Sequence, residues 1–171
     1  MVNLFDEEIE EEDTQRGRYL TFTLGENVYG IAIRHVTEII GIQNITRVPE
    51  TPDFIKGIIN LRGKIIPLID VRLKFGKEEI PYTERTCIIV ASAGSVQVGL
   101  IVDKVDDVLT IEDDDIAPAP ENRIGFENRY IEGIGKFGDT VQILLNTEKL
   151  LNNDELDAAA RAADSEFAFT I

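Results

Sequence analysis

The segment Phe54-Ile-Lys-Gly-Ile-Ile-Asn-Leu-Arg-Gly-Lys-Ile-Ile-Pro-Leu-Ile-Asp70 recurs later in the chain, altered but in step, as Tyr130-Ile-Glu-Gly-Ile-Gly-Lys-Phe-Gly-Asp-Thr-Val-Gln-Ile-Leu-Leu-Asn146. Each copy reads as two apolar strands joined by a two-residue turn, in which glycine supplies the positive φ that such hairpins need. Gly57 aligns with Gly133, Leu61 with Phe137, Leu68 with Leu144 and Asp70 with Asn146. The copies differ most in chemistry at the turn itself, which is Arg62-Gly63 in the first and Gly138-Asp139 in the second.

The residues ahead of each hairpin repeat as well. Tyr19 to Leu24 and Val28 to Ile33 read as strands around Gly25-Glu26-Asn27, and Thr86 to Ala91 and Val96 to Val102 around Ala93-Gly94-Ser95. Ile33, Val36, Ile39 and Ile40 then fall at helical spacing, as do Val102, Val105, Val108 and Leu109. That spacing predicts short helices over 34–40 and 103–108. Asp70 and Asn146 are good N-caps for short helices over 71–75 and 147–151. The expected architecture is all-β: two five-stranded barrels over residues 17–80 and 81–151, with short helices. Closure into barrels removes the exposed edges of such short strands. Whether the barrels exchange strands is left open. Residues 1–16, with Glu7, Glu8, Glu10, Glu11 and Glu12, read as an acidic disordered tail. Residues 152–171 read as a C-terminal tail.

The net charge of −15 argues against nucleic acid as a partner, because phosphate neutralisation needs clustered Lys and Arg. Residues 17–80, with seven acids and nine bases, are the only part that is not acidic. The single Cys excludes a disulfide framework or a cysteine-based metal site. Cys87 lies in an apolar strand and reads as buried and inert. His35 has no evident partners for nucleophilic catalysis, and there is no phosphate loop or nucleophile-elbow serine. Glu112-Asp-Asp-Asp115 lacks the alternating ligands and closing Glu of a calcium loop. No metal or cofactor is expected. The first residues lack the basic and apolar regions of a signal peptide, and no apolar run approaches a membrane span. The chain reads as a binding module rather than an enzyme.

Tyr29-Gly-Ile-Ala-Ile-Arg-His-Val-Thr-Glu-Ile-Ile-Gly41, Thr51-Pro-Asp-Phe-Ile-Lys-Gly-Ile-Ile-Asn-Leu-Arg-Gly63, Ile65-Ile-Pro-Leu-Ile-Asp70, Gly99-Leu-Ile-Val-Asp103 and Asn146-Thr-Glu-Lys-Leu-Leu-Asn152 resemble the CheW family of bacterial chemotaxis coupling proteins, over roughly residues 18–153. The resemblance implies two SH3-like barrels and a non-catalytic cytoplasmic adaptor, which meets the membrane only through receptors. Its partners would be the cytoplasmic tips of methyl-accepting chemoreceptors and the regulatory domain of the histidine kinase CheA. It implies receptor-binding positions at Val36, Glu38, Gly57, Arg62 and Gly63. Val36 also belongs to the apolar stripe, and Gly57 also suits a bulge or close packing. Two other readings stay open: a CheW-like regulatory domain belonging to a larger chemotaxis kinase or receiver fusion, and a small-ligand sensor with a pocket between the barrels.

Overall fold

The computed structural model describes residues 15–119 and 129–151. The C-terminal tail, and all but the last two residues of the acidic tail, lie outside them. The first half supplies β1 (Arg18–Leu24), β2 (Asn27–Ala32), β3 (Val36–Gly41), β4 (Ile55–Leu61) and β5 (Lys64–Asp70), then helix α1 (Val71–Lys74). The second half supplies β6 (Cys87–Ala93), β7 (Val96–Val102), β8 (Lys104–Thr110), β9 (Ile116–Pro118), β10 (Ile131–Phe137) and β11 (Thr140–Leu145), then helix α2 (Thr147–Leu151). The fold is all-β, with two short helices where the capping residues place them. Asp70 Oδ1 accepts from the Leu73 backbone N–H at 3.3 Å, and Asn146 Oδ1 accepts from that of Lys149 at 3.0 Å.

Neither sheet is made from one half of the chain. The six-stranded sheet runs β8-β1-β2-β11-β10-β9, and the five-stranded sheet runs β3-β6-β7-β5-β4. Each therefore takes the leading hairpin of one half and the remaining strands of the other. The boundary near residue 80 is a boundary in sequence and not between sheets. The sixth strand, β9, has only three residues, and its counterpart in the other sheet is the single bridge Thr46–Ile58.

The exchanged hairpins join through two parallel pairings, Leu68 with Gly99 and Leu144 with Gly30. A Cβ at Gly99 would lie 2.4 Å from Leu68 Cδ2 and 2.8 Å from Ile88 Cγ2, so the side chains opposite occupy the space that glycine leaves. The largest core cluster fills the gap between the sheets. Leu20, Phe22, Tyr29 and Ile31 of one sheet meet Ile69, Ile89, Leu100 and Val102 of the other, all at most 2% exposed. A smaller all-aliphatic cluster around Ile59, Ile66, Ile88 and Val90 fills the five-stranded sheet itself.

The helices expected over 34–40 and 103–108 are strands, apart from one 3₁₀ turn at Ile33–His35. The physical reason is a bulge in each. Val36 pairs with Ala91 and Glu38 with Val90, leaving Thr37 extra; Asp107 pairs with Thr21 and Val105 with Phe22, leaving Asp106 extra. An extra residue resets the alternation of faces, so Val36 and Ile39, like Val105 and Val108, share a face three residues apart. The helical spacing is present in the sequence, but bulged strands produce it. Hydroxyls hold both places: Thr37 Oγ1 donates to Val90 O at 2.9 Å, and Thr21 Oγ1 to Asp107 O at 3.1 Å.

Asp70 is 2% exposed, and Tyr82 O–H donates to its Oδ2 at 3.0 Å. Burial raises its pKa above 3.8, against the opposing pull of the Tyr82 and Leu73 donors, and burial likewise raises that of Tyr82. A carboxyl with a raised folded-state pKa stabilises the fold most below its unfolded value and loses that contribution as pH rises through the folded value. Asp70→Asn keeps a good cap, as Asn146 shows. Its stability relative to the parent should therefore increase as pH climbs above 3.8, then level off; denaturant titrations from pH 3 to 7 measure this, and a pH-independent difference would contradict it.

Because one core serves both sheets, unfolding should be a single transition. Calorimetric and van't Hoff enthalpies should agree, and two resolved transitions would show that the sheets unfold separately.

Candidate functional site

The turn between β4 and β5 is built by Leu61-Arg62-Gly63-Lys64. Both central residues have positive φ, 51° at Arg62 and 86° at Gly63, as the primed hairpin turns require. Asn60 Oδ1 accepts from the Gly63 backbone N–H at 2.8 Å and holds the turn closed. Arginine at positive φ is uncommon and costs on the order of 1 kcal/mol. The corresponding Gly138 has φ 61° and avoids that cost.

The Arg62 guanidinium pairs with the Glu38 carboxylate. Glu38 lies on β3, at one end of the five-stranded sheet, whereas Arg62 caps the hairpin at the other end, so the ion pair crosses the seam where the sheet curls onto itself. The arginine side chain is 73% exposed and the glutamate side chain 28%. An exposed pair of this kind adds about 0–1 kcal/mol to stability. What it chiefly does is hold a forked set of donors at one place on an otherwise exposed tip.

The five expected site residues divide into two groups. Glu38, Arg62 and Gly63 meet at the seam. Val36 leaves β3 on the opposite face from Glu38, because of the Thr37 bulge, and packs half-buried against the core between the sheets. Gly57 lies at the far end of the hairpin. There the strand bulges at Lys56, φ is 143°, and an added Cβ would sit 2.1 Å from Thr46 O.

A second ion pair was not evident from the sequence. Arg72 of α1 meets Asp103 at 2.7 Å, and Asp103 Oδ2 also accepts from the Gly25 N–H at 2.9 Å. Both side chains are mostly buried, at 14% and 20% exposed. This contact ties the turn of the β1–β2 hairpin to the other sheet. Its only trace in the sequence is that Arg72 and Asp103 each sit just past a strand end. Lys74 is also buried, with Nζ 4.4 Å from the centre of the Phe54 ring and 5.3 Å from that of Tyr130.

His35 Nδ1 lies 3.1 Å from Ser92 O. Cys87 is half-buried rather than buried, because β6 begins there, and its thiol donates to Arg85 O at 3.3 Å. Among the described residues no group of His, Cys, Asp and Glu is arranged to hold a metal ion, and no helix is long and apolar enough to cross a membrane. A cleft of 520 Å³ is lined by Arg47, Asp53, Lys56, Leu73 and Glu79, among others. All of its lining comes from the first half of the chain, and it is not the pocket between barrels that a sensor reading called for.

Two interlocked β sheets with a charged seam on one of them define a protein-interaction module. Residues 18–155 match the CheW-like domain, and the chain belongs to that family. It is 43% identical over 153 residues to the chemotaxis protein CheW of Klebsiella aerogenes, covering 90% of this chain and 92% of that one. It is 33% identical over 145 residues to CheW of Helicobacter pylori, covering 85% and 87%. The crystal structure of the scaffolding protein TtCheW from Thermoanaerobacter tengcongensis superposes with a TM-score of 0.72 at 37% identity, covering 80% of this chain and 99% of that one.

Gly57 offers a test of what is structural at this hairpin. Gly57→Ala should destabilise the fold by about 1–3 kcal/mol, the range for forced overpacking. Any loss of partner binding should track that loss of stability across denaturant concentration; weakened binding with an unchanged midpoint would make Gly57 a contact residue.

Proposed function

We propose that this protein is a non-catalytic chemotaxis adaptor, coupling the cytoplasmic tips of methyl-accepting chemoreceptors to the regulatory domain of the histidine kinase CheA in the cytoplasm. Membership of the CheW-like family and the similarity to a scaffolding CheW support the adaptor role. The observation that carries the site is Arg62. It is held at positive φ where the equivalent turn uses glycine, it is exposed, and it is oriented by Glu38. An unfavourable backbone conformation retained at an exposed tip is characteristic of functional positions. In this reading Arg62 donates to carboxylate or carbonyl oxygens on the receptor, Glu38 orients it, and Gly63 shapes the turn. Val36 and Gly57 act through packing beneath the surface.

Arg62→Gly separates function from fold. Glycine relieves the positive φ while the Glu38 pair is lost, so stability should stay within about 1 kcal/mol of the parent. Affinity for a receptor cytoplasmic fragment should fall by about 1–3 kcal/mol, the range for a charge-assisted hydrogen bond. Calorimetric titration with that fragment, and a parallel pull-down with the kinase regulatory domain, measure both arms. Unchanged receptor affinity removes Arg62 from the interface, and failure of the parent protein to bind either partner removes the adaptor reading itself.

A further inference from the structure

The contact between Arg72 and Asp103 has a counterpart at the other junction of the two sheets, with its charges inverted. The offset of 69 residues that carries Gly30 onto Gly99 carries Gly25 onto Gly94 and Arg34 onto Asp103. The offset of 76 that carries Gly57 onto Gly133 carries Lys56 onto Glu132 and Arg72 onto Glu148. Where one junction sets the acid Asp103 against the base Arg72, the other therefore sets the base Arg34 against the acid Glu148. Arg34 and Glu148 line one cleft of 130 Å³, together with His35 and Glu132. Both are exposed, and no ion pair joins them among the described residues. The turn glycines report the same difference independently. A Cβ at Gly25 would lie 3.7 Å from Arg72 Nη1, whereas one at Gly94 would have nothing within 4 Å. One junction is closed and the other open.

The residue types explain the difference. The Asp103 carboxylate accepts the Gly25 N–H at 2.9 Å as well as the Arg72 guanidinium at 2.7 Å, and the pair is mostly buried. A guanidinium has no acceptor, so Arg34 cannot serve the Gly94 amide in that way. Closing the second junction gains one exposed ion pair against the ordering of two long side chains, terms that nearly cancel. The charges still favour closure: the turn contributes Arg34 and the His35 imidazole, while β10 and α2 contribute the acids Glu132 and Glu148. A contact so balanced is readily moved by a ligand that prefers one of its two states.

The turn is also the entry to the candidate site. Arg34 lies in the 3₁₀ turn Ile33–His35, which runs straight into Val36, the Thr37 bulge and Glu38. Movement of this turn towards α2 is passed to the strand that holds the Glu38 carboxylate against Arg62. We propose that Arg34 and Glu148 form an autoinhibitory latch. It is open in this structure, where Glu38 and Arg62 are paired. When it closes, the start of β3 is drawn towards α2 and the Arg62 site binds receptor more weakly. Its effect on receptor binding rests on the adaptor reading; its closure does not.

Full-length protein carrying Arg34→Cys and Glu148→Cys, in a Cys87→Ser background, tests the two separately. A disulfide requires the two Cα atoms to come within about 7 Å. Mild oxidation should form it, and saturating receptor cytoplasmic fragment should slow its formation by at least about fivefold, the low end of ordinary allosteric couplings. The oxidised chain should bind the fragment at least about fivefold more weakly than the same chain reduced. Glu148→Arg, which faces Arg34 with a like charge, should bind the fragment at least as tightly as the parent. Failure of the disulfide to form, or formation at a rate the fragment leaves unchanged, overturns the latch. Equal affinity of the oxidised and reduced chains overturns its coupling to the site, and weakened binding by Glu148→Arg overturns its inhibitory sense. A parent that does not bind the fragment overturns the adaptor reading itself, and disulfide formation without the fragment then still decides whether the junction closes.

Discussion

The structure depends on two places where strands from different halves of the chain lie side by side in parallel, Leu68 beside Gly99 and Leu144 beside Gly30. Parallel neighbours cannot be joined by a tight turn. Here each comes from a separate antiparallel hairpin: between β2 and β11 the chain builds the whole five-stranded sheet, whereas between β5 and β7 it passes only through α1 and β6 of the same sheet. The glycines let leucine side chains lie across the strand beside them. From that junction follow the mixed origin of both sheets, the single core between them, and the placement of the Arg62 turn at the opposite end of its sheet from the strand whose acid it meets.

Much of this was legible in the sequence, and for identifiable reasons. The duplicated hairpin, the Arg62-Gly63 turn and the Asp70 and Asn146 caps are local, and each depends on a few residues whose backbone preferences agree with their surroundings. The exchange of hairpins is not local. Apolar alternation in β1 and β2 says that one face is buried, but nothing in it says against which strand. The bulges at Thr37 and Asp106 misled for the opposite reason: their spacing is a true signal with two physical causes, helical geometry and an interrupted ladder. A hydroxyl paired to a carbonyl across strands distinguishes them, and that becomes visible only when the partner strand is known.

The site was legible in part. Arg62 stood out because the internal repeat supplied its own control, a glycine in the same turn. Glu38 needed the closed sheet before its carboxylate and the Arg62 guanidinium could be seen to meet, since 24 residues separate them in sequence. The Arg72–Asp103 pair joins the two halves and had no comparable local sign. Val36 and Gly57 lie away from the seam, Val36 on the hidden face of β3 and Gly57 under the Thr46 carbonyl.

The shared sheets also set a condition on how the protein is made. When synthesis has reached α1, the leading hairpin still lacks β8 and β11, and β5 lacks β7, so neither sheet can close. About 70 further residues must be added before β11 exists, an interval on the order of ten seconds at typical translation rates. Throughout it the first half carries unpaired strand edges and uncovered aliphatic faces, the features that invite association with other nascent chains. A protein that holds large assemblies together is thus, during its own synthesis, at its most prone to form unintended ones.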